Sequence, residues 1–168
     1  ALEAVEKIAF GNAPLEERRA AIRSLVRARR KGIVPKLQNL LGNRDLASSA
    51  IAGLAAFGTP ETPGLLVKRY SGFRGAPKAE AINTLVSRAS YAEVLLQAIQ
   101  DGQVPRNDVS AFQIRQMQSF ENQAMSSMVN EIWPELKQIS AEKKEQLTKW
   151  RAELTSEVLN KADRSAGR

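Results

Sequence analysis

The chain contains no cysteine and no histidine. Without cysteine there is no disulfide framework from which to read a redox compartment. Without either residue there is no ordinary zinc site, no haem-attachment motif and no Ser-His or Cys-His nucleophile pair. Aromatic residues make up only 5% of the 168 positions, a helical composition rather than that of a sandwich or barrel. No apolar run approaches the roughly eighteen residues that a membrane span needs. The longest, AIAGLAAF at 50–57, is far shorter, so no membrane insertion is expected. The opening ALEAVEKIAF has no basic region ahead of an apolar one, so no signal peptide is expected either. It lacks Met and starts inside a helical pattern, as a piece of a longer chain would.

What is present repeats. AIRSLV at 21–26 returns as AIAGLA at 50–55 and AINTLV at 81–86. Ile22 and Leu25 thus match Ile51 and Leu54, then Ile82 and Leu85, with a weaker fourth match at Ile114 and Met117. The Ile spacings are 29, 31 and 32. A second apolar cluster follows each match: Leu37, Leu40 and Leu41; then Leu65, Leu66 and Val67; then Val94, Leu95, Leu96 and Ile99; then Met128, Val129, Ile132 and Trp133. Within segments the period is helical. Leu15, Ile22, Leu25 and Val26 share one face, as do Leu46, Ala50, Leu54 and Phe57.

Punctuation falls between the segments. Gly32, Gly42, Gly58, Gly72, Gly75 and Gly102 stand where C-terminal caps are needed. Pro35, Pro63 and Pro105 stand near segment starts, and Thr59 and Thr62 are candidate N-caps. The pattern predicts an all-α fold: a right-handed α-solenoid of about four HEAT-like helical hairpins, each burying its apolar stripe against the next. Pro134 is expected to kink or restart the helix there. Ser140 is expected to cap a last helix with a stripe of Leu147, Trp150, Leu154 and Val158. The tail ADRSAGR is polar and expected to fray.

Net charge is +7, and most of it lies in residues 1–42, with nine Lys or Arg against four Glu. Arg19, Arg23, Arg27 and Arg30 fall on one helix face at i, i+4, i+8 and i+11, with Lys31 and Lys36 just beyond. These six form the candidate interaction face. Such a face could neutralise phosphates, with Trp133 or Trp150 as stacking platforms, or meet another domain. Acid–base chemistry has little to work with. Glu16 and Glu17 point to different sides of a helix. Glu131 with Glu135, and Glu153 with Glu157, gather nothing else around them and read as surface carboxylates. Met117, Met125 and Met128 read as core filler rather than metal or haem ligands. GFRG at 72–75 lacks the preceding strand and the GK[ST] ending of a phosphate loop. No catalytic, cofactor-binding or metal residue is expected.

The C-terminal third is the most distinctive part: DVSAFQIRQMQSFENQAMSSMVNEIW at 108–133, LKQISAEKKEQLTKWRAEL at 136–154, and ADRSAGR at 162–168. It resembles the segment that precedes the cytochrome domain in the large haem-binding proteins of planctomycetes and their relatives, the membrane-bound dehydrogenase and c-type cytochrome kind. Arg115-Gln116-Met117, Trp133, residues 143–150 and Gly167-Arg168 occupy the matching places. Before residue 104 the match is at the level of HEAT repeats only. The resemblance implies a modular parent: a propeller-like dehydrogenase domain, a HEAT-repeat domain, then a cytochrome domain. Residues 1–136 would be the HEAT-like repeats, and 137–168 a C-terminal helix and linker toward the next domain. Haem c is expected only in that following domain, and a periplasmic or cell-envelope location is implied. The implied function is a non-enzymatic scaffold in an electron-transfer protein, holding neighbouring domains or another protein. The alternative is a nucleic-acid-binding HEAT-like protein, similar to a DNA glycosylase, using the N-terminal basic face.

Overall fold

The structure is a computed structural model. It describes residues 2–153 and, of these, the side chains of all but 137–140 and 153. Leu154, Glu157, Val158 and the tail at 162–168, each given a part above, lie outside the described residues.

All regular structure in the described residues is helical. Ten α-helices follow one another: α1 (Leu2–Phe10), α2 (Leu15–Arg27), α3 (Val34–Leu40), α4 (Ala47–Phe57), α5 (Thr62–Arg69), α6 (Ala76–Leu85), α7 (Ala89–Gln100), α8 (Ala111–Gln118), α9 (Gln123–Ile132) and α10 (Pro134–Glu153). Single 3-10 turns stand at Lys31–Ile33, Tyr70–Gly72 and Arg106–Asp108. The chain divides into two compact units, Ala1–Met128 and Val129–Arg168.

In the first unit the recurring motif marks the core. Ile22, Leu25, Ile51, Leu54, Ile82, Leu85, Ile114 and Met117 are all buried. Helices α2, α4 and α6, which carry three copies, pack one on the next, and α5 packs on α7. Helix α4 also meets α3 and α5. It has small residues on the faces it turns to its neighbours. A Cβ on Gly53 would stand 2.9 Å from Leu37 Cδ1 of α3 and 3.2 Å from Val26 Cγ2 of α2. Glycine inside a helix costs about 1 kcal/mol relative to alanine; here it is what lets two other helices close in.

Helix ends follow local chemistry. Glu16 and Glu17 lie in the first turn of α2 and Arg27 in its last, each matching the helix dipole. Pro35, Pro63 and Pro77 occupy the first positions of α3, α5 and α6, where the missing N–H is not needed. Pro105 instead precedes a 3-10 turn. Helix α8 starts at a capping box: Gln113 N–H donates to Ser110 Oγ at 3.3 Å, and Ser110 N–H donates to Gln113 Oε1 at 2.8 Å. The S-x-x-Q spacing carries this signal in the sequence. Thr59 and Thr62 cap nothing with their side chains; they bond each other at 3.0 Å.

The glycine punctuation holds only in part. Gly58 closes α4 at φ 65°, and Gly102 lies in the left-handed region just past α7. Gly75 opens α6 rather than closing α5, and Gly32, Gly42 and Gly72 do not adopt positive φ. The left-handed positions after α2 and α8 fall instead on Arg29, φ 52°, and Glu121, φ 54°. At α2 the turn is closed by Arg29 N–H to Val26 O at 3.0 Å and Arg30 N–H to Leu25 O at 3.2 Å, the paired bonds of a Schellman turn.

In the second unit α10 begins at Pro134, so the helix restarts there as its proline requires. It then runs unbroken past Ser140, so the expected helix start at Ser140 is absent. Leu, Lys, Gln, Ala and Glu fill this stretch, and all are strong helix formers. Trp133 is buried, whereas Leu147 and Trp150 are exposed.

Two sets of substitutions test these assignments. Leu54→Ala and Leu85→Ala should each cost about 2–5 kcal/mol in urea melts; Arg23→Ala, at an exposed site, should stay within about 0.5 kcal/mol. Equal costs would contradict the buried stripe. Gly64→Ala, in α5 with open space around its Cβ, should stabilise by about 0.5–1 kcal/mol. Gly58→Ala should destabilise by at least about 1 kcal/mol, since its Cβ would also stand 2.4 Å from Arg88 Nη1.

Candidate interaction surface

The expected basic row does not survive as one helix face. Helix α2 ends at Arg27, and the turn through Arg29 carries Arg30 off its axis. Arg19, Arg23 and Arg27 remain on α2. Arg30 and Lys31 sit in the joint before α3, and Lys36 on α3 itself.

Three of the six cations are already engaged. Arg19 Nη1 bonds Glu16 Oε1 at 2.7 Å, and its Nη2 donates to the Asp45 carbonyl at 2.9 Å. Arg30 Nε and Lys36 Nζ both bind Glu6, at 2.8 and 2.5 Å. Lys36 also lies 5.3 Å from the centre of the Phe10 ring, a favourable cation–π placement. Arg23, Arg27 and Lys31 are exposed and have no ion-pair partner among the described residues. Arg23 and Arg27 border a groove of about 430 Å³ between α2 and α4, floored by Val26, Ala52 and Gly53, with Glu80 of α6 on its rim.

Two carboxylates have shifted pKa values, and both shifts point away from acid–base work. Hydrogen bonds from Lys36 and then Arg30 hold Glu6 below the usual carboxylate range. Lys78, 2.8 Å away, does the same for Asp108, and the Tyr70 hydroxyl adds a bond at 3.0 Å. Burial and that same carboxylate push the Tyr70 hydroxyl above its ordinary value. A proton-transfer group works best with a pKa near the operating pH; each of these groups is displaced further from neutrality. They act as ties between helices.

Sequence reasoning missed two other arginines. Arg29 Nη1 donates to the Ala56 carbonyl at 2.6 Å, and Arg88 Nη2 to the Ala55 carbonyl at 3.2 Å. The Gly58 N–H takes the Leu54 carbonyl at 2.9 Å. Three carbonyls at the end of α4, orphaned by helix geometry, are thereby satisfied, two of them by cations that suit the negative helix end. A long-range carbonyl acceptor leaves no mark in local sequence.

A groove of about 870 Å³ lies between α5 and α7 and carries both Lys68 and the acids Glu93 and Asp101. Each acid is already met by an amide: Asn122 donates to Glu93, and Gln97 to Asp101, both at 3.0 Å. The described residues hold no group of three His, Cys, Asp or Glu placed to bind a metal, and no described helix is long and apolar enough to cross a membrane. The chain has neither the cysteines nor the histidine of a Cys-x-x-Cys-His haem-attachment motif. Met117 and Met125 are packed in the core.

Acid should unpick the carboxylate ties. Both folded pKa values are depressed, so the stability these ties contribute is present above the ordinary carboxylate range and lost as pH falls through the folded value. Urea melts at about pH 6 and about pH 3.5 should show a smaller acid loss in Glu6→Gln and in Asp108→Asn than in the parent chain. An unchanged loss in both variants would contradict the assignment. Comparison with models of known protein families, with curated proteins and with solved structures found no match.

Proposed function

We propose that the chain is a non-catalytic interaction module, a right-handed stack of about four HEAT-like hairpins within a larger electron-transfer protein of the cell envelope. Its work is to hold neighbouring domains of that protein, or another protein, against its helix faces. The observation that supports this reading most is the mutual packing of the motif helices α2, α4 and α6. Stacked pairs of this kind expose long rows of helix surface that need no catalytic residue to be useful. Residues 1–136 make the stack, and 137–168 lead to a following domain that carries the haem. Arg23, Arg27 and Lys31 remain exposed as a contact face, which suits binding to an acidic protein surface.

The nucleic-acid reading needs a continuous row of cations along the N-terminal face. Arg19, Arg30 and Lys36 are tied to Glu16 and Glu6 instead, which leaves that row interrupted.

Two measurements test the proposal. Antibodies against residues 1–136 should detect the native gene product in envelope fractions, in a band that also stains for covalent haem; a haem-negative band would overturn the electron-transfer part. Anisotropy titration of duplex DNA at low salt should show no binding tighter than about 10 µM. Micromolar binding with a steep salt slope, abolished by Arg23→Glu with Arg27→Glu, would favour nucleic acid.

A further inference from the structure

A second basic site lies outside the N-terminal face. Arg44 in the α3–α4 joint, Arg69 at the end of α5 and Arg74 just before α6 line one groove of about 450 Å³. Half-buried Pro77, with the edges of the buried Leu41, Ala47 and Phe73, supplies apolar lining beside them. Among the described residues no carboxylate lines this groove; Asp45, next to Arg44, is not among its walls.

Two of the three guanidiniums, those of Arg74 and Arg69, have a defined seat. Arg74 Nη1 donates to the carbonyls of Ser71 at 2.6 Å and Phe73 at 2.8 Å, which fixes its plane against its own loop. Its Nε and Nη2 have no partner among the described residues. Arg69 Nη1 lies 3.1 Å from where a Cβ on Gly42 would stand, so the bare backbone of residue 42 is what lets that guanidinium lie close. Three like charges around one opening repel each other. Elsewhere Arg30, Lys36, Arg19 and Lys78 each have a carboxylate beside them. A cluster without one is suited to receive its anions from outside.

We propose that the Arg44–Arg69–Arg74 groove docks an acidic segment of a partner protein, with two or more carboxylates set around one apolar side chain. The proposal rests on the interaction-module reading and gives that reading a partner chemistry. The apolar walls decide the class. A phosphodiester backbone is followed by a track of cations, whereas this groove offers three around an apolar patch. Its volume suits a few side chains rather than a long strand. Guanidinium forks match carboxylates in geometry as well as charge.

The test is anisotropy with a fluorescein-labelled Asp-Glu-Leu-Glu-Asp peptide at low and moderate salt, with a dT12 oligonucleotide alongside. Arg44→Ser, Arg69→Ser and Arg74→Ser combined should weaken peptide binding at least about tenfold. The charge-matched control, Lys143→Ser, Lys144→Ser and Arg151→Ser combined, at exposed positions of α10, should change it less than about twofold. Replacing the peptide's Leu by Ser should weaken it several-fold. Helical circular dichroism checks folding, and Arg44→Ser with Arg69→Ser replaces the triple variant should that one unfold. Equal losses in the two charge-matched variants, no peptide binding at low salt, an indifferent Leu, or tighter binding of dT12 through the same three arginines would each overturn the proposal. The haem stain does not involve this groove, and the Arg23→Glu with Arg27→Glu variant reports duplex binding at the N-terminal face alone, so a failure of the groove and a failure of the reading it rests on are distinguishable.

Discussion

Helix α4 is the piece on which the rest of the first unit leans. It touches α2, α3, α5 and α6, and it can do so because its surface is made of small residues. Ala47, Ala50 and Gly53 are buried alongside Ile51 and Leu54. A larger residue at position 53 would drive Leu37 and Val26 apart, and dense packing of this kind has no slack to absorb the displacement. An apolar helix of this kind gains little from its own sequence; burial on several sides holds it in place.

Its C-terminal end adds a polar counterpart to that packing. The guanidinium of Arg29 reaches it from before in the chain and that of Arg88 from after. The same logic recurs along the unit. Side-chain bonds join Arg19 to Asp45, Tyr91 to Thr59, Gln113 to Asn83 and Asn122 to Glu93, across 26, 32, 30 and 29 residues. Three of these separations lie within the 29–32 range of the Ile spacing and the fourth falls three short of it, so the greasy seam and the polar ties repeat with nearly the same step.

How much of this could be read in advance depends on where the information sits. The apolar stripes were legible because burial acts on residue type at a fixed helical period; Ile22, Ile51, Ile82 and Ile114 are all buried. The proline starts of α3 and α5 were legible because proline's constraint is local. The end of α2 was not, because an arginine in the left-handed region does not announce itself as a glycine does. That one turn is what removed Arg30 from the basic row. The ties of Arg30 and Lys36 to Glu6 were hidden for a different reason: they need α1 placed against α2, and no local pattern states that. The basic groove of Arg44, Arg69 and Arg74 was likewise assembled from two joints and the end of α5, positions that no local pattern links.

The recurring separations carry one more implication. The tie from Tyr70 to Asp108 spans 38 residues, little more than one such step. Each tie of this reach joins residues about one motif step apart. Within residues 2–128, an exchange in one copy of the motif is therefore felt first by the copies one step before and after it.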